Sequence, residues 1–425
     1  VIALRRLVPH VGSSIVVTAP TIGFFLLALA LGYASGARVA GDYRRVVARN
    51  FLISAALVGG GLAGATVDAL FAHLPPALFA YLVFVAGILC PVAWLLGQTV
   101  PILTNLMHAE RTGEASGLAL YWSTLGSFLG SLSLSLLVMQ WFGVSAAVLA
   151  CTFGLLAGAL LLAERNFKFG LFFLLTVGLA GALNLKPLVT ADTAYADYLI
   201  APVDRPGQIE PRAFWVNQSL ASLLDSSEPP HYTRYIEHLR RILLDDLGFD
   251  GRDILVLGAG GFTLSHNEAR NRYTYVDIDP KIKAVAEEHF LRQGVRGEFI
   301  ADDARRFVAT SERRFDAVVI DVYSSHTAIP SHLVTQEFWA DVRRVLKPEG
   351  VLLANLILDG KLESPYARNL LATIDSVYGR CAVDVLHKGK PISNVEIACF
   401  AGSRPLATAP YRDEKNRADL DRALR

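Results

Sequence analysis

The chain has 425 residues, of which 52% are hydrophobic and only 19% are charged, with a mean hydropathy of +0.38. This composition is too apolar for an ordinary soluble protein. The net charge of +1 provides no bulk field for nucleic acid, so no nucleic-acid partner is expected. Long apolar runs fill residues 1–188, whereas residues 189–425 have the composition of a normal α/β protein.

The first half is predicted to be an α-helical transmembrane bundle of about six helices, because six apolar segments approach the length that crosses a bilayer. The polar exceptions Asp68 and Gln140 lie near helix ends, and we interpret them as interfacial or interhelical hydrogen-bonding groups rather than a transport site. The predicted segments are 15–33, 46–71, 77–97, 118–139, 144–163 and 169–183.

The second half is predicted to begin with a small antiparallel sheet in residues 194–224, followed by a helix that ends at Gly248. Seven apolar strands separated by helices then predict an α/β doubly wound sheet, whose ligands bind at the carboxyl ends of the strands. The expected domains are 1–188, 189–248 and 249–425. The four cysteines have no metal or redox spacing, and we interpret all of them as core residues.

A glycine-rich turn follows the first strand of this sheet, at Gly258-Ala259-Gly260-Gly261. The next strand ends in Asp277, about 20 residues on, where a carboxylate can accept both ribose hydroxyls. The full GxGxxG pattern is missing, so the ligand need not carry a pyrophosphate. We therefore expect Gly258 and Gly260 to cradle a nucleoside of the S-adenosylmethionine type.

Acidic residues collect at the ends of three successive strands. Asp277 and Asp279 end the second strand, Asp303 ends the third, and Asp321 ends the fourth. A helix cap would by itself account for Asp303 equally well. Together, however, the acids indicate a ligand site at this edge of the sheet.

These motifs resemble the spermidine synthase (polyamine aminopropyltransferase) family, in particular its membrane-integral branch. The resemblance rests on PVAWLLGQTVPILTNL in the first half and on YTRYIEHL, VDIDP, DDARRF and DVYSSHTAIPSHLVTQEFW in the second. It implies that Asp277 holds the ribose, Asp303 holds the adenine, and Asp321 draws a proton from the attacking amine. The segment of Asn217 also matches and adds this residue to the cofactor site, with Asp279 beside Asp277.

The resemblance further implies decarboxylated S-adenosylmethionine as the cofactor, or alternatively S-adenosylmethionine, and no metal. Tyr232, Tyr323 and His326 are candidate ligands of the substrate, a small amine such as putrescine. The aspartate that soluble family members place after the third glycine is replaced by Gly261, and a family glutamine by Ala221. Two alternatives to an aminopropyltransferase therefore stay open: a methyltransferase, and a non-catalytic transporter or sensor.

The distribution of basic residues and the location of the cofactor predict opposite sides of the membrane for the second half of the chain. Arginine or lysine lies in the loops after the first, third and fifth apolar segments, which should be cytoplasmic. If segment 169–183 also crosses, the second half emerges on the outer side. Because the cofactor is cytosolic, the expectation is an inner-membrane protein with its catalytic domain on the cytoplasmic face. The lipid bilayer is then a partner, and a homodimer is one assembly to test.

Overall fold

The computed structural model describes residues 1–12, 15–105, 112–163, 167–185, 189–323, 329–402, 411–413 and 418. The chain divides into two compact units, one of the N-terminal helix with Val17–Ala194 and one of Tyr195–Arg425. The boundary lies six residues after the predicted one at 188. From Tyr195 onwards, the predicted segment 189–248 belongs to the second unit.

The first unit is helical, and each of the six predicted apolar segments coincides with a helix or a run of helices. Single π-helical turns join α5 to α6 and α8 to α9. The helices are α1 (Ile2–Val11), α2 (Ile15–Gly36), α3 (Tyr43–Gly61), α4 (Gly64–His73), α5 (Ala77–Phe84), α6 (Cys90–Gly97), α7 (Thr99–Asn105), α8 (Thr112–Ser133), α9 (Met139–Leu162) and α10 (Phe167–Asn184).

Four helical stretches of the described chain are long and apolar enough to cross a membrane, or five if α3 and α4, bent by 68°, form one span. One of the four, Ser116–Leu162, has 47 residues. At 1.5 Å per residue it would measure about 70 Å, more than twice the hydrocarbon core of a bilayer. Gly143, with φ 83° and ψ 178°, interrupts it. The break divides the stretch near the boundary between the predicted segments 118–139 and 144–163.

Polar side chains inside the helical unit pair with one another. Asn50 donates through Nδ2 to Gln98 Oε1 at 2.9 Å, and both residues are buried. His10 Nε2 lies 3.2 Å from Asp68 Oδ1 and so joins α1 to α4. The predicted interhelical role of Asp68 is therefore confirmed.

The short strand β1 (Ala191–Asp192) is held at one end of the helical unit. Asp192 accepts a hydrogen bond from the backbone N–H of Ser145 at 2.9 Å and lies 3.7 Å from the guanidinium of Arg6. A Cβ on Gly143 would lie only 2.6 Å from the Asp192 carbonyl oxygen. The α9 break, helix α1 and β1 thus meet at the same end, because only glycine permits this approach.

The second unit contains the two predicted sheets. Strands β2, β3 and β4 form antiparallel pairs, and a seven-stranded sheet has the order β10-β11-β9-β8-β5-β6-β7. The strands are β2 (Asp197–Pro202), β3 (Arg212–Val216), β4 (Ser219–Leu224), β5 (Asp253–Leu257), β6 (Arg272–Asp277), β7 (Glu298–Ala301), β8 (Phe315–Ile320), β9 (Leu346–Leu358), β10 (Ala382–Val385) and β11 (Ser393–Phe400). Every strand predicted from residue 254 onwards is present.

Helices cover this sheet, and its apolar side chains form the main core of the unit. The helices are α11 (Arg234–Arg241), α12 (Ile282–Val285), α13 (Ala304–Thr310), α14 (Gln336–Arg344) and α15 (Pro365–Tyr378). Strands β5 to β9 are parallel neighbours, whereas β11 runs antiparallel to β9. From β5 the chain builds outwards to β6 and β7, then crosses back to β8. Such a switch point is where open α/β sheets bind ligands.

A disulfide bond joins Cys381, the residue before β10, to Cys399 in the neighbouring strand β11. Cys399 is buried in the core and Cys381 packs against it, as predicted, but the disulfide between them was not predicted. Sequence spacing missed the pair because 18 residues separate its members, and only the antiparallel register brings them together. Cys90 and Cys151 are free thiols in the described helices.

Candidate active site

The glycine turn after β5 brings the ends of two strands together. Gly258 has φ 87°, and a Cβ there would lie 2.2 Å from the backbone oxygen of Asp321. Gly260 also has a positive φ, of 51°. Larger residues at Gly258 would be strained and would push β5 and β8 apart. The turn thus places the predicted nucleoside cradle beside the predicted catalytic acid.

Asp277 lies beneath this turn, as predicted. The backbone N–H of Ala259 donates to its Oδ2 at 2.9 Å, and that of Asp279 donates to Oδ1 at 3.0 Å. Burial raises the pKa of Asp277 to about 6, although these two hydrogen bonds act in the opposite direction. Each carboxylate oxygen retains a lone pair for a ribose hydroxyl. The geometry is therefore compatible with the predicted ribose contact.

Asp279 is buried and serves the protein itself. Its carboxylate accepts from the Tyr198 hydroxyl at 2.8 Å and from the backbone N–H of Lys281 at 2.9 Å. These bonds tie β2 to the segment after β6. The cofactor contact of Asp279 stays a prediction beside this structural role.

Asp303 caps helix α13, the alternative that the sequence left open. Its carboxylate accepts from the backbone N–H of Arg306 at 3.0 Å and lies 3.4 Å from His332 Nε2. The side chain is 36% exposed, so an oxygen can still face a ligand. The adenine contact remains a prediction.

Asn217 lies in the hairpin turn between β3 and β4, with φ 48°. Its Oδ1 accepts from the backbone N–H of Asp197 at 3.1 Å. Ser222, the β4 residue whose hydroxyl accepts from Gly261 of the glycine turn, is five positions further along the chain. Asn217 thus organises the turn between β3 and β4, and its cofactor contact stays a prediction.

Asp321 occupies the centre of the site. Asn355 donates through Nδ2 to its Oδ1 at 2.8 Å, and the Tyr235 hydroxyl lies 2.9 Å from its Oδ2. Burial raises its pKa, against the two hydrogen bonds, which lower it. A small pocket lies here, lined by Asp321, Tyr235, Ser222 and the glycine turn, among others. A carboxylate with a raised pKa is a stronger base than an exposed one.

The hydroxyl of Tyr235 has two acceptors for its single proton. Besides Asp321 Oδ2, it lies 2.5 Å from the carbonyl oxygen of Ala221. When Asp321 is ionised, the hydroxyl can donate to it. When Asp321 is protonated, the acid can donate to Tyr235, which then donates to Ala221. The arrangement accommodates both protonation states of the acid without an unpaired group.

The predicted substrate ligands are only partly brought together. Tyr232 bonds to His266 Nδ1 at 2.9 Å, with the Arg240 guanidinium 4.8 Å from its ring centre, and it lines a different surface cleft. The substrate contact of Tyr232 stays a prediction, whereas Tyr235 is the tyrosine that contacts Asp321. Tyr323 donates to the carbonyl of Asn355, a packing role, so its substrate contact stays a prediction. His326 lies outside the described residues.

Gly261 has no space for a side chain. A Cβ there would lie 2.5 Å from the Phe290 ring and 2.7 Å from the Ser222 Cβ, while its N–H donates to Ser222 Oγ at 3.0 Å. The family aspartate that is missing here could not be accommodated without moving these neighbours. The packing therefore accounts for this departure from the soluble family members.

Sequence reasoning missed Tyr235, Asn355 and Ser222, because each is placed by strand pairing or by the approach of α11. One signal was present: Tyr235 lies three residues after Tyr232 in YTRYIEHL, inside the predicted helix. Among the residues that the structure describes, no group of three or more His, Cys, Asp or Glu side chains could hold a metal ion.

Comparisons with known proteins agree with this geometry. Residues 254–350 match the family model described as a methyltransferase domain. Polyamine aminopropyltransferase 1 of Streptomyces coelicolor is 26% identical over 385 residues, which cover 81% of this chain and 70% of that protein. The chain is a relative of the spermidine synthase (polyamine aminopropyltransferase) family. The match with the Streptomyces protein extends over both units, since it spans most of the chain.

Other relatives match shorter parts of the chain. The polyamine aminopropyltransferase of Vibrio vulnificus is 29% identical over 134 residues, which are 30% of this chain and 43% of that protein. A crystal structure of a probable spermidine synthase from Corynebacterium glutamicum has a TM-score of 0.41 and 20% identity, covering 48% of this chain and 77% of that one. The chain thus spans less than half the length of the Vibrio relative.

Proposed function

We propose that residues 195–425 transfer the aminopropyl group of decarboxylated S-adenosylmethionine to an amine, with release of methylthioadenosine. The observation that carries this proposal is Asp321: a buried carboxylate with a raised pKa, held by Asn355 and Tyr235 beside the glycine turn. The names of the Streptomyces and Vibrio relatives support the same reaction.

The reaction requires the acceptor amine in its neutral form. In water at pH 7 a primary amine is mostly protonated. The nitrogen lone pair attacks the aminopropyl carbon next to the sulfonium, the carbon–sulfur bond breaks, and its electron pair remains on sulfur. The proton of the new ammonium passes to Asp321. Tyr235 then turns its hydroxyl proton to the Ala221 carbonyl and accepts a hydrogen bond from the protonated acid.

The donor would be held by residues on both sides of the switch point. Asp277 offers its free lone pairs to the ribose hydroxyls, and Gly258 and Gly260 leave space for the nucleoside backbone to approach. Asp303, at the end of the neighbouring strand β7, would bind the adenine amino group. Binding at these points directs the sulfonium carbon towards Asp321, which supplies orientation as well as a base.

Methyl transfer from S-adenosylmethionine is a second candidate, and one observation favours it. The acid that would bind the free amine of a decarboxylated donor has no space at Gly261. The match of residues 254–350 to a methyltransferase model is compatible with this reading.

Product analysis separates the candidates. The purified full chain would be incubated with each donor and several amines, and nucleoside products identified by mass spectrometry. Methylthioadenosine supports aminopropyl transfer, and S-adenosylhomocysteine supports methyl transfer. If neither product forms, the chain is a binding protein such as a sensor or transporter.

We also propose that the helical unit lies in the lipid bilayer. Its long apolar helices expose many large side chains, for example Leu26, Leu27, Phe128 and Trp141, which would be unfavourable in water. The helix Phe167–Asn184 itself passes the length and hydropathy criteria for a span, so an interfacial position is not required for it.

Two observations favour an outward-facing catalytic unit over the cytoplasmic face expected from cofactor supply. First, β1 lies against Gly143, whereas the arginine-rich loop after α2 and Lys168 in the first turn of α10 lie at other helix ends, one crossing away. Under the positive-inside rule these basic residues are cytoplasmic, so β1 is on the outer side. Second, the Cys381–Cys399 disulfide is typical of an oxidising compartment.

Protease treatment of intact, right-side-out vesicles tests sidedness. We expect cleavage within residues 195–425 without permeabilisation. Protection that disappears only on permeabilisation would place the unit on the cytoplasmic face. If the unit faces outwards, donor added outside intact vesicles should be consumed. If the unit faces the cytoplasm, that donor should remain.

A further inference from the structure

The proposed base has a second layer of support behind Asn355. Asn394 donates through Nδ2 to Asn355 Oδ1 at 2.9 Å, and Asn355 donates through its own Nδ2 to Asp321 Oδ1 at 2.8 Å. These hydrogen bonds run in one line from β11 through β9 to the residue that follows β8. The line ends on the acid that lies beside the glycine turn.

Strand pairing places the two amides side by side. β11 runs antiparallel to β9, and Glu396 of β11 lies directly opposite Asn355. Asn394 is two residues before Glu396, so both side chains point to the face of the sheet that carries Asn355. The carbonyl oxygen of Asn355 accepts from the Tyr323 hydroxyl, which fixes the backbone of this residue as well. The sheet therefore sets where the Asn355 amide lies, and hydrogen bonds set which way it points.

The two ends of the Asn355 amide have opposite hydrogen-bonding character. Its oxygen only accepts, and its N–H₂ only donates. An ionised Asp321 requires the N–H₂ end, because an oxygen in that place would repel the carboxylate. Asn394 occupies the oxygen end with a donor and so favours this orientation. The reverse orientation would leave the Asn394 N–H₂ facing another N–H₂ and would turn an oxygen towards Asp321.

Other titratable groups face Asp321 from neighbouring elements. The Tyr235 hydroxyl of α11 lies 2.9 Å from Oδ2, and Tyr323 is two residues further along the chain. Burial raises the pKa of both tyrosines well above the ordinary value, so both are neutral at pH 7. Glu396 has a pKa raised to about 8, mainly by burial, and the charge of Asp321 contributes. Of the groups in the described part of the chain, Asn355 alone donates to Oδ1.

We propose that Asn394 is a positioning residue, which orients the Asn355 amide so that its N–H₂ keeps Asp321 in the ionised form. This inference rests on the proposed function, because it concerns how the base of that reaction is held ready. A hydrogen bond to the charged form of a carboxyl group lowers its pKa. Burial raises the pKa of Asp321, and the bond from Asn355 opposes this effect. Asn394 therefore extends activity to lower pH.

Asn394→Asp tests the orientation, because it replaces the donor by an acceptor of nearly the same shape. The new carboxylate competes with Asp321 for the single N–H₂ of Asn355. Asp321 is expected to take the shared proton, because burial already raises its pKa. The acid limb of the pH profile should therefore move to higher pH by about one unit, the effect of one lost hydrogen bond to a carboxylate. Asn394→Ala removes the donor without adding a competitor, so its limb should move in the same direction but by less.

The full chain in detergent would be assayed for its nucleoside product, with saturating donor and amine, at a series of pH values. Amine protonation acts on the wild type and the variants alike, so the displacement between their profiles reports on Asp321. Gln293→Glu is the matched control, because it converts an exposed amide to an acid elsewhere in the same unit. Its profile should coincide with that of the wild type. Urea denaturation of the same samples separates a change in titration from a loss of stability.

Three outcomes overturn the proposal. These are an acid limb that stays at the wild-type pH in both Asn394 variants, a rate that falls by the same factor at every pH, and an equal displacement in Gln293→Glu. If Asn394→Asp does not fold, Asn394→Ala alone decides, since its limb must still move to higher pH. If the wild type forms neither methylthioadenosine nor S-adenosylhomocysteine with any amine, the proposed function itself fails. Product formation with an unmoved limb refutes only the role of Asn394.

Discussion

Asp321→Asn removes the proposed base while it keeps the shape of the side chain. In the variant, the amide oxygen can take the place of Oδ1 and accept from Asn355 Nδ2, at 2.8 Å in the wild type. The amide N–H₂ then faces Tyr235, whose hydroxyl can accept from it and donate to the Ala221 carbonyl. No buried group loses its partner, so we expect a change of less than about 1 kcal/mol in the free energy of unfolding.

Turnover should respond much more strongly than stability. Removal of a positioned general base lowers rates by about 10² to 10⁴. At 1.36 kcal/mol per tenfold, this corresponds to about 2.7 to 5.4 kcal/mol in the activation free energy. The predicted loss in kcat therefore exceeds the stability effect severalfold, and the two are separable by measuring kcat and urea denaturation on the same samples.

The pH profile provides a second readout. Asp321 must be ionised to accept a proton, and burial raises its pKa above the ordinary value. The wild-type rate should therefore fall on the acid side at a higher pH than for an exposed aspartate. In Asp321→Asn this limb disappears, and the defect shrinks as the pH approaches the pKa of the amine, because more acceptor is then neutral.

Nucleoside affinity is the control, together with Asp250→Asn on the exposed loop before β5. Calorimetry should give the same donor affinity for Asp321→Asn as for the wild type. Turnover within a factor of a few of the wild type, or a loss of donor binding, would refute the assignment of Asp321 as the base.

Three other predictions follow from the geometry of the second unit. Asp277→Ala should weaken nucleoside binding at least tenfold in calorimetry, since a carboxylate hydrogen-bonded to charged or polar partners contributes about 1.5 to 3 kcal/mol, and unchanged affinity would remove it from the site. Gly261→Ala should cost about 1 to 3 kcal/mol in chemical denaturation, because its Cβ overpacks the site, whereas Gly294→Ala, with no atom nearer than 4.0 Å, should not. Cys381→Ser should cost about 3 kcal/mol through loss of the bond to Cys399 and should make stability insensitive to reducing agents.

Local sequence patterns were sufficient to predict the helices and strands and the order of the acidic residues along the chain. Strands β5 to β11 were predictable because each is a short apolar run bounded by glycine or polar residues. The positions of Gly258, Asp277 and Asp321 followed from these strands, since residues after parallel strands meet at one edge. Helical segments of the first unit were predictable for a similar reason, because their apolar length exceeds that of ordinary core helices.

The sequence by itself thus determined the fold class, the nucleoside turn and the acid at its centre. Only the tertiary structure decided that Tyr235, rather than Tyr232, meets Asp321, because that choice depends on how α11 lies on the sheet. Register alone placed Glu396 opposite Asn355 and brought Cys381 to Cys399. For the same reason, a matching segment does not say at which end of a strand a residue such as Asn217 lies. Contacts between residues far apart in sequence depend on strand order and pairing, which no local pattern encodes.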